Sequence, residues 1–207
     1  MITAQDKILH VASKLGLTSL KDMQASTGAV YDVDTDLSGQ IFSNATRHVN
    51  PQVTNINENQ FEVNEALLVE NIAFFVNEPI SAHRYSNFQF TYGSNAVIVF
   101  DLIIGNKRVM KDTPIFAAGS PYCFANVANT VITIGVAPDQ EKVASFQPRH
   151  QVFMEGAGIL IPPQVQWFVQ YNLFDVVTGD LIPILENAPI GCYLFGTKVL
   201  LNFNTTI

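Results

Sequence analysis

The chain has 207 residues, 48% of them hydrophobic, which is enough for one large domain with a full core. Its formal net charge is −7 and its pI about 4.9, which excludes a major role in gripping nucleic acid, because that needs clustered Lys and Arg to displace counterions. Only 14% of residues are charged, well below the usual share of about a quarter, and Asn, Gln, Thr and Ser fill the polar positions instead. Interface cores are depleted of charge in the same way, so such a surface suits either repeated burial against neighbours or an ordinary uncharged β-protein.

The start, MITAQDKILHVASKL, is charged and amphipathic and lacks the apolar core and cleavage site of a secretory leader. No apolar run approaches the roughly 20 residues of a membrane-spanning helix; the longest, residues 97–104, is interrupted by Asp101. No transmembrane segment is expected, and synthesis and folding in a cytoplasm fits. Cys123 and Cys192 are far apart in apolar, strand-like contexts and read as buried free thiols.

Thr3 followed by Asp6 resembles a capping box, Ile8, Val11, Ala12 and Leu15 recur at helical spacing, and Gly16 is a C′ stop. A second short helical piece is expected over residues 19–26, ending at Gly28. Two such helices could form a DNA reader, but the second carries one Lys against one Asp, and an arm packed on its own domain or on a neighbour is the better reading. Residues 29–60 look irregular. Asp32, Asp34 and Asp36 alternate before Gly39, but an EF-hand loop wants Gly at its sixth position and Glu at its twelfth, where this chain has Leu37 and Ser43. A solvated acidic turn is expected there, with a weak cation site as the alternative. Residues 50–59 are a loop by composition.

From Phe61 the pattern is β. Phe61 and Val63 suggest a short strand, with a bulge at residues 64–66. Leu68, Ile72, Phe74 and Val76 share one parity, and Phe88, Phe90 and Tyr92 alternate. Residues 97–104 are strongly β-branched, and Gly105-Asn106-Lys107 turns them into a hairpin with residues 108–110. Short apolar runs follow at 114–118 and 122–124, then a strand over 130–136 and a polar loop over 139–148. Residues 156–171, GAGILIPPQVQWFVQY, hold two strand-like runs hinged at Pro162-Pro163. In the second run Val165, Trp167, Val169 and Tyr171 fall on one face, so the chain is expected to turn a sandwich corner at the prolines, which cannot donate to a ladder. A strand over 173–177 leads into the turn Thr178-Gly179-Asp180, and the last strand covers 190–203 with Tyr193, Phe195, Val199, Leu201 and Phe203 on one face. Eight to ten strands with regular turn signals and no interleaved long helices predict an all-β fold.

Chemistry is sparse. None of His10, His48, His83 and His150 lies within four residues of another, so there is no local zinc pair and no His-x-His of a metal cupin. His83-Arg84 and Arg149-His150 read as loop residues. No nucleophile elbow or phosphate loop occurs, and neither cysteine has a neighbouring His or Lys to lower its pKa. Lys107, Arg108 and Lys111 are the only local basic group, in a hairpin. Glu62, Glu65 and Glu70 could pair for glycoside chemistry across strands, but a solvated face is the simpler reading. Trp167 and Tyr171 could make a sugar platform, although Val165 and Val169 on the same face argue for core. No catalytic, cofactor-binding or metal residue is assigned, and no cofactor is expected.

In pattern the chain resembles the single jelly-roll proteins of virus particles, particularly those of bacteriophages. The elements that carry the resemblance are the N-terminal arm and Asn-rich lead-in, the stretch TNINENQFEVNEALLVENIAFFV (54–76), the hairpin VFDLIIGNKRVMKDTPI (99–115) and the corner GILIPPQVQWFVQY. The resemblance covers about residues 54–207 and implies a jelly-roll-like antiparallel β-sandwich over that range, with residues 1–53 as a short helical N-terminal arm and lead-in. It also implies a capsid shell, vertex or accessory subunit that works by self-assembly. Its partners would be copies of itself and other virion proteins, and assembly would take place in the host cytoplasm. The chain is too short for a double jelly-roll shell protein. A carbohydrate- or ligand-binding β-sandwich is the alternative.

Overall fold

The computed structural model describes residues 3–17, 23–43, 53–56, 58–76, 92, 95–114, 127–134, 137–144, 152–153 and 158–201. The fold is an all-β sandwich with one N-terminal helix, α1 (Ala4–Leu15). One sheet runs β1 (Gln24–Val33), β11 (Ile190–Leu200), β3 (Glu65–Val76), with β8 (Val152–Phe153) and β9 (Ile159–Ile161) both paired to β3. The facing sheet runs β2 (Gln40–Ile41), β10 (Trp167–Asp175), β4 (Ala96–Ile104), β5 (Lys107–Pro114). A separate ladder joins β6 (Val127–Ile134) to β7 (Ala137–Ala144). All ladders are antiparallel, and four of them nest: β1 with β11, β2 with β10, β3 with β9, β4 with β5. Successive pairs alternate between the two sheets.

The proline corner is where the chain changes sheets. β9 ends in the first sheet at Ile161, and β10 begins in the second at Trp167. Between them Pro163 bridges Phe61, and Gln164, at φ 55°, donates its N–H to the Phe61 carbonyl at 2.9 Å. The alternation read in β10 then fills the core: Trp167, Val169, Tyr171 and Leu173 point inward, each no more than 2% exposed. Facing them across the sandwich are Leu67, Val69, Ile72, Val76, Cys192 and Leu194.

Leu68 does not share the face of Ile72 and Val76, because the β3–β11 register shifts between Phe195 and Gly196 and leaves Glu70 without a partner. That bulge flips the parity of β3. Leu67 and Val69 face the core before it, and Ile72 and Val76 after it, while Ala66 and Leu68 face outward. A Cβ on Gly196 would lie 1.8 Å from the Leu68 carbonyl oxygen, so the crossing needs glycine.

The outward apolar residues are covered by α1. Its capping box is formed, with Thr3 and Asp6 bonded reciprocally, and Gly16 ends it at φ 69°. Val11 and Leu15 pack on Ala66, Leu68, Val199 and Leu201. Lys7 pins the helix to the sheet: its Nζ is 2.6 Å from Glu70 and 3.3 Å from Thr197 Oγ1, which itself donates to Glu70 at 2.8 Å. The arm therefore packs in cis.

Three further expectations about where the elements lie need correction. Residues 24–26 are not helical but open β1, an edge strand whose first half is mostly exposed and so lacks an apolar alternation to read. The region 29–60 is not uniformly irregular, and the two sheets draw strands from both sides of residue 54. The polar stretch from Asp139 to Ala144 lies in β7, where it pairs with β6 rather than looping. The expected elements at residues 88–91, 115–118 and 122–124 lie outside the described residues, as do Cys123, His48, His83 and His150.

Candidate functional site

The acidic turn is not solvated. Asp32 and Asp34 are each 1% exposed, and only Asp36 faces water. Asp32 accepts the N–H of Phe42 at 2.7 Å; Phe42 has φ 63°. Asp34 accepts four bonds: Ser38 N (3.0 Å), Ser38 Oγ (3.1 Å), Gly39 N (2.7 Å) and Tyr171 Oη (2.9 Å). Main-chain donors of a tight turn thus satisfy a buried carboxylate, as burial of a charge requires. With its oxygens taken in this way, Asp34 is a structural acceptor and not a cation ligand. Among the described residues no group of three or more His, Cys, Asp or Glu is placed to hold a metal. Burial, with the Asp34 charge beside it, pushes the Tyr171 phenol far above its ordinary value and keeps it a donor.

Trp167 and Tyr171 are 0% and 1% exposed, so neither forms a sugar platform. Trp167 packs between Phe42 and Phe61, with ring centroids 4.6 and 5.6 Å away, and its indole N–H has no partner among the described residues. Cys192 is a buried free thiol, and burial, then the Asp32 charge, raises its pKa.

The three expected glutamates separate. Glu70 lies under α1, whereas Glu62 and Glu65 line a cleft of about 340 Å³ with Glu58, Phe61 and Lys198, over a floor that includes Gly28. A Cβ at Gly28 would meet the Lys198 Cβ at 2.8 Å, so glycine leaves room for the lysine to cross the floor. Lys198 pairs with Glu65 at 2.9 Å. Glu58 and Glu62 have no basic partner among the described residues, and this leaves the rim acidic. No local spacing announces the cleft; it exists because Lys198, opposite Leu67, and Glu65, opposite Leu200, are distant in sequence but diagonal neighbours near the end of the β3–β11 ladder.

The basic group lies on β5, an edge strand. Arg108 pairs with Asp101 and with Asp112 (3.1 Å), and Asp112 donates its N–H to Asp101 at 2.6 Å. The Asp101 hydrogen bond raises the Arg108 pKa. Lys107 and Lys111 are exposed. At the end of β10 a turn is closed by its own bonds: Asp175 Oδ1 accepts from Val177 N and Thr178 N, and Asp175 O accepts from Gly179 N. It presents Val176, Val177 and Leu181 to water at 58%, 73% and 65% exposure.

Comparison with protein-family models, curated proteins and solved structures gives no match. Among the described residues no helix is long and apolar enough to cross a membrane.

Proposed function

We propose that this chain is a structural subunit of a virus particle (shell, vertex or accessory protein) that acts by self-assembly on a jelly-roll scaffold. The observation that carries this reading is the nested strand order. Pairing β1 with β11, β2 with β10, β3 with β9 and β4 with β5, alternately in two sheets, is what results when one long antiparallel ribbon is wrapped into a barrel-like sandwich. That wrapping of two Greek keys recurs in viral capsid domains. Two surface properties support it: only 14% of residues are charged, and a turn closed by its own hydrogen bonds displays Val176, Val177 and Leu181. Contiguous exposed apolar side chains mark contact sites. On this reading the chain works in the virion, beside copies of itself and other virion proteins, after assembly in the host cytoplasm. Light scattering with negative-stain imaging of the same peak tests it. Trimers, pentamers, rings or shells are expected, and a monomer of 22.8 kDa at high concentration would sink the reading.

The cleft favours a second reading, a ligand-binding sandwich, since jelly rolls also serve as lectins. The carboxylates of Glu58 and Glu62 beside Phe61 would suit a polyhydroxylated ligand. Saturable binding on a glycan array, lost on Glu58→Ala, would favour it; no binding would remove it.

A further inference from the structure

We infer that the free edge of β1 is a strand-docking site, occupied in the assembly by β5 of a second copy of the chain. The inference rests on the assembly reading and names one of its contacts.

Asn55 shows which main-chain groups of β1 point to the edge. Its side chain accepts the Tyr31 N–H and donates to the Ala29 carbonyl, both at 2.8 Å, and its own N–H donates to Tyr31 O at 3.2 Å. Odd residues of β1 therefore turn their N–H and C=O outward, since both groups of one residue point the same way in an antiparallel strand. Asn55 acts as a one-residue neighbour at Ala29 and Tyr31. Below it, Ala25 and Thr27 point outward with no edge partner among the described residues.

Two of the edge strands, β1 and β5, are protected to opposite degrees. β5 carries Lys107, Arg108, Lys111 and Pro114, and two register breaks interrupt its ladder with β4. These are the devices that stop edges from pairing at random. The open half of β1, QASTG, has none: no charge, no proline, and an unbroken register with β11. An unguarded edge in a chain that guards another is expected where the first is covered in use.

Charge selects the occupant. Glu58 and Glu62 line a cleft with Gly28 and Ala29, where the open half of β1 meets the part that Asn55 covers. Two β1 edges meeting would bring these carboxylates together, and two β5 edges would bring together Lys107 and Lys111. Of these pairings, β5 against β1 sets lysines beside glutamates that have no basic partner among the described residues, and it would also cover Val109, which is 45% exposed. A contact between two different edges is heterologous, so repeated copies close into a ring or extend as a filament.

Hydrogen exchange on the assembled wild-type protein and on dissociated subunits tests the contact. The amides of Ala25 and Thr27 are expected to exchange freely in the subunit and about 100-fold more slowly in the assembly. Lys107→Glu with Lys111→Glu should weaken assembly at least about tenfold, and adding Glu58→Lys with Glu62→Lys should restore it. Matching thermal unfolding of each variant subunit to wild type controls for folding. Particles whose Ala25 and Thr27 amides still exchange freely would overturn this contact and leave the assembly reading standing. Protection already present in the lone subunit would overturn it too, because the edge would then be filled from within. A protein that never assembles removes both readings.

Discussion

The hydroxyl of Tyr171, in the middle of β10, donates to Asp34, in the turn after β1, across 2.9 Å with both residues 1% exposed. It is a bond between the two sheets, made to a carboxylate that turn amides already hold in place. Tyr171→Phe keeps the ring and removes one of four donors, and should cost about 1.5–3 kcal/mol. Asp34→Ala also strands the amides of Ser38 and Gly39 and should cost more, about 3 kcal/mol or above. Urea unfolding of the two variants checks the order; equal losses would mean that the turn is held by other contacts.

The sequence made this pair only half legible. Tyr171 was readable as core because period-two alternation persists through β10 and stops at two prolines. Asp34 was not, since three aspartates at alternate positions look solvated until the Ser38 and Gly39 amides and a phenol far along the chain are seen to converge. The same divide runs through the rest of the fold. α1 could be read because its cap, face and stop are all local. β1 could not, as an edge strand reading QASTG buries little and therefore shows no period. The parity of β3 groups Leu68 with Ile72 and Val76, because a bulge opposite Gly196 leaves no mark in β3 itself. Of the cleft, only Glu62 and Glu65 stood out, and Lys198 joins them only through strand pairing.

Trp167 is the sole tryptophan and is fully buried, so its emission should be blue-shifted in the native state and move red in one step on unfolding. Trp167→Ala should cost about 3–5 kcal/mol as a core cavity. Trp167→Phe should cost clearly less, because it keeps an aromatic ring between Phe42 and Phe61 and removes an indole N–H that has no partner among the described residues. A native spectrum already at the wavelength of free tryptophan would contradict the buried placement.

Gly196→Ala tests the bulge. The added Cβ would sit 1.8 Å from Leu68 O and 3.1 Å from Glu70 N, both main-chain atoms that cannot swing aside. The loss should reach about 3 kcal/mol or more. Gly179→Ala is the control for the positive-φ cost alone, since that glycine has φ 77° but no atom within 4 Å of its Cβ position. Its loss should stay near about 1 kcal/mol. Thermal unfolding of both variants decides, and similar midpoints would show that β3 can slide past Gly196.

Cys192 and Tyr171 are expected to lower stability at alkaline pH. Both are acids that are neutral when protonated, and burial raises the pKa of each in the folded chain. Below the unfolded-state values, about 8.5 for a thiol and about 10 for a phenol, both states keep their protons and the full stability is present. Above them the unfolded chain releases protons that the folded chain retains, so stability falls as pH rises, by up to about 1.4 kcal/mol per pH unit for each group. In a Cys123→Ser background the decline should begin near pH 8.5, and Cys192→Ala should postpone it to about pH 10. Native Cys192 should also react with iodoacetamide only as fast as the chain opens, because a thiol without solvent contact cannot form its thiolate. An unchanged pH profile in Cys192→Ala would show that other groups carry the alkaline loss.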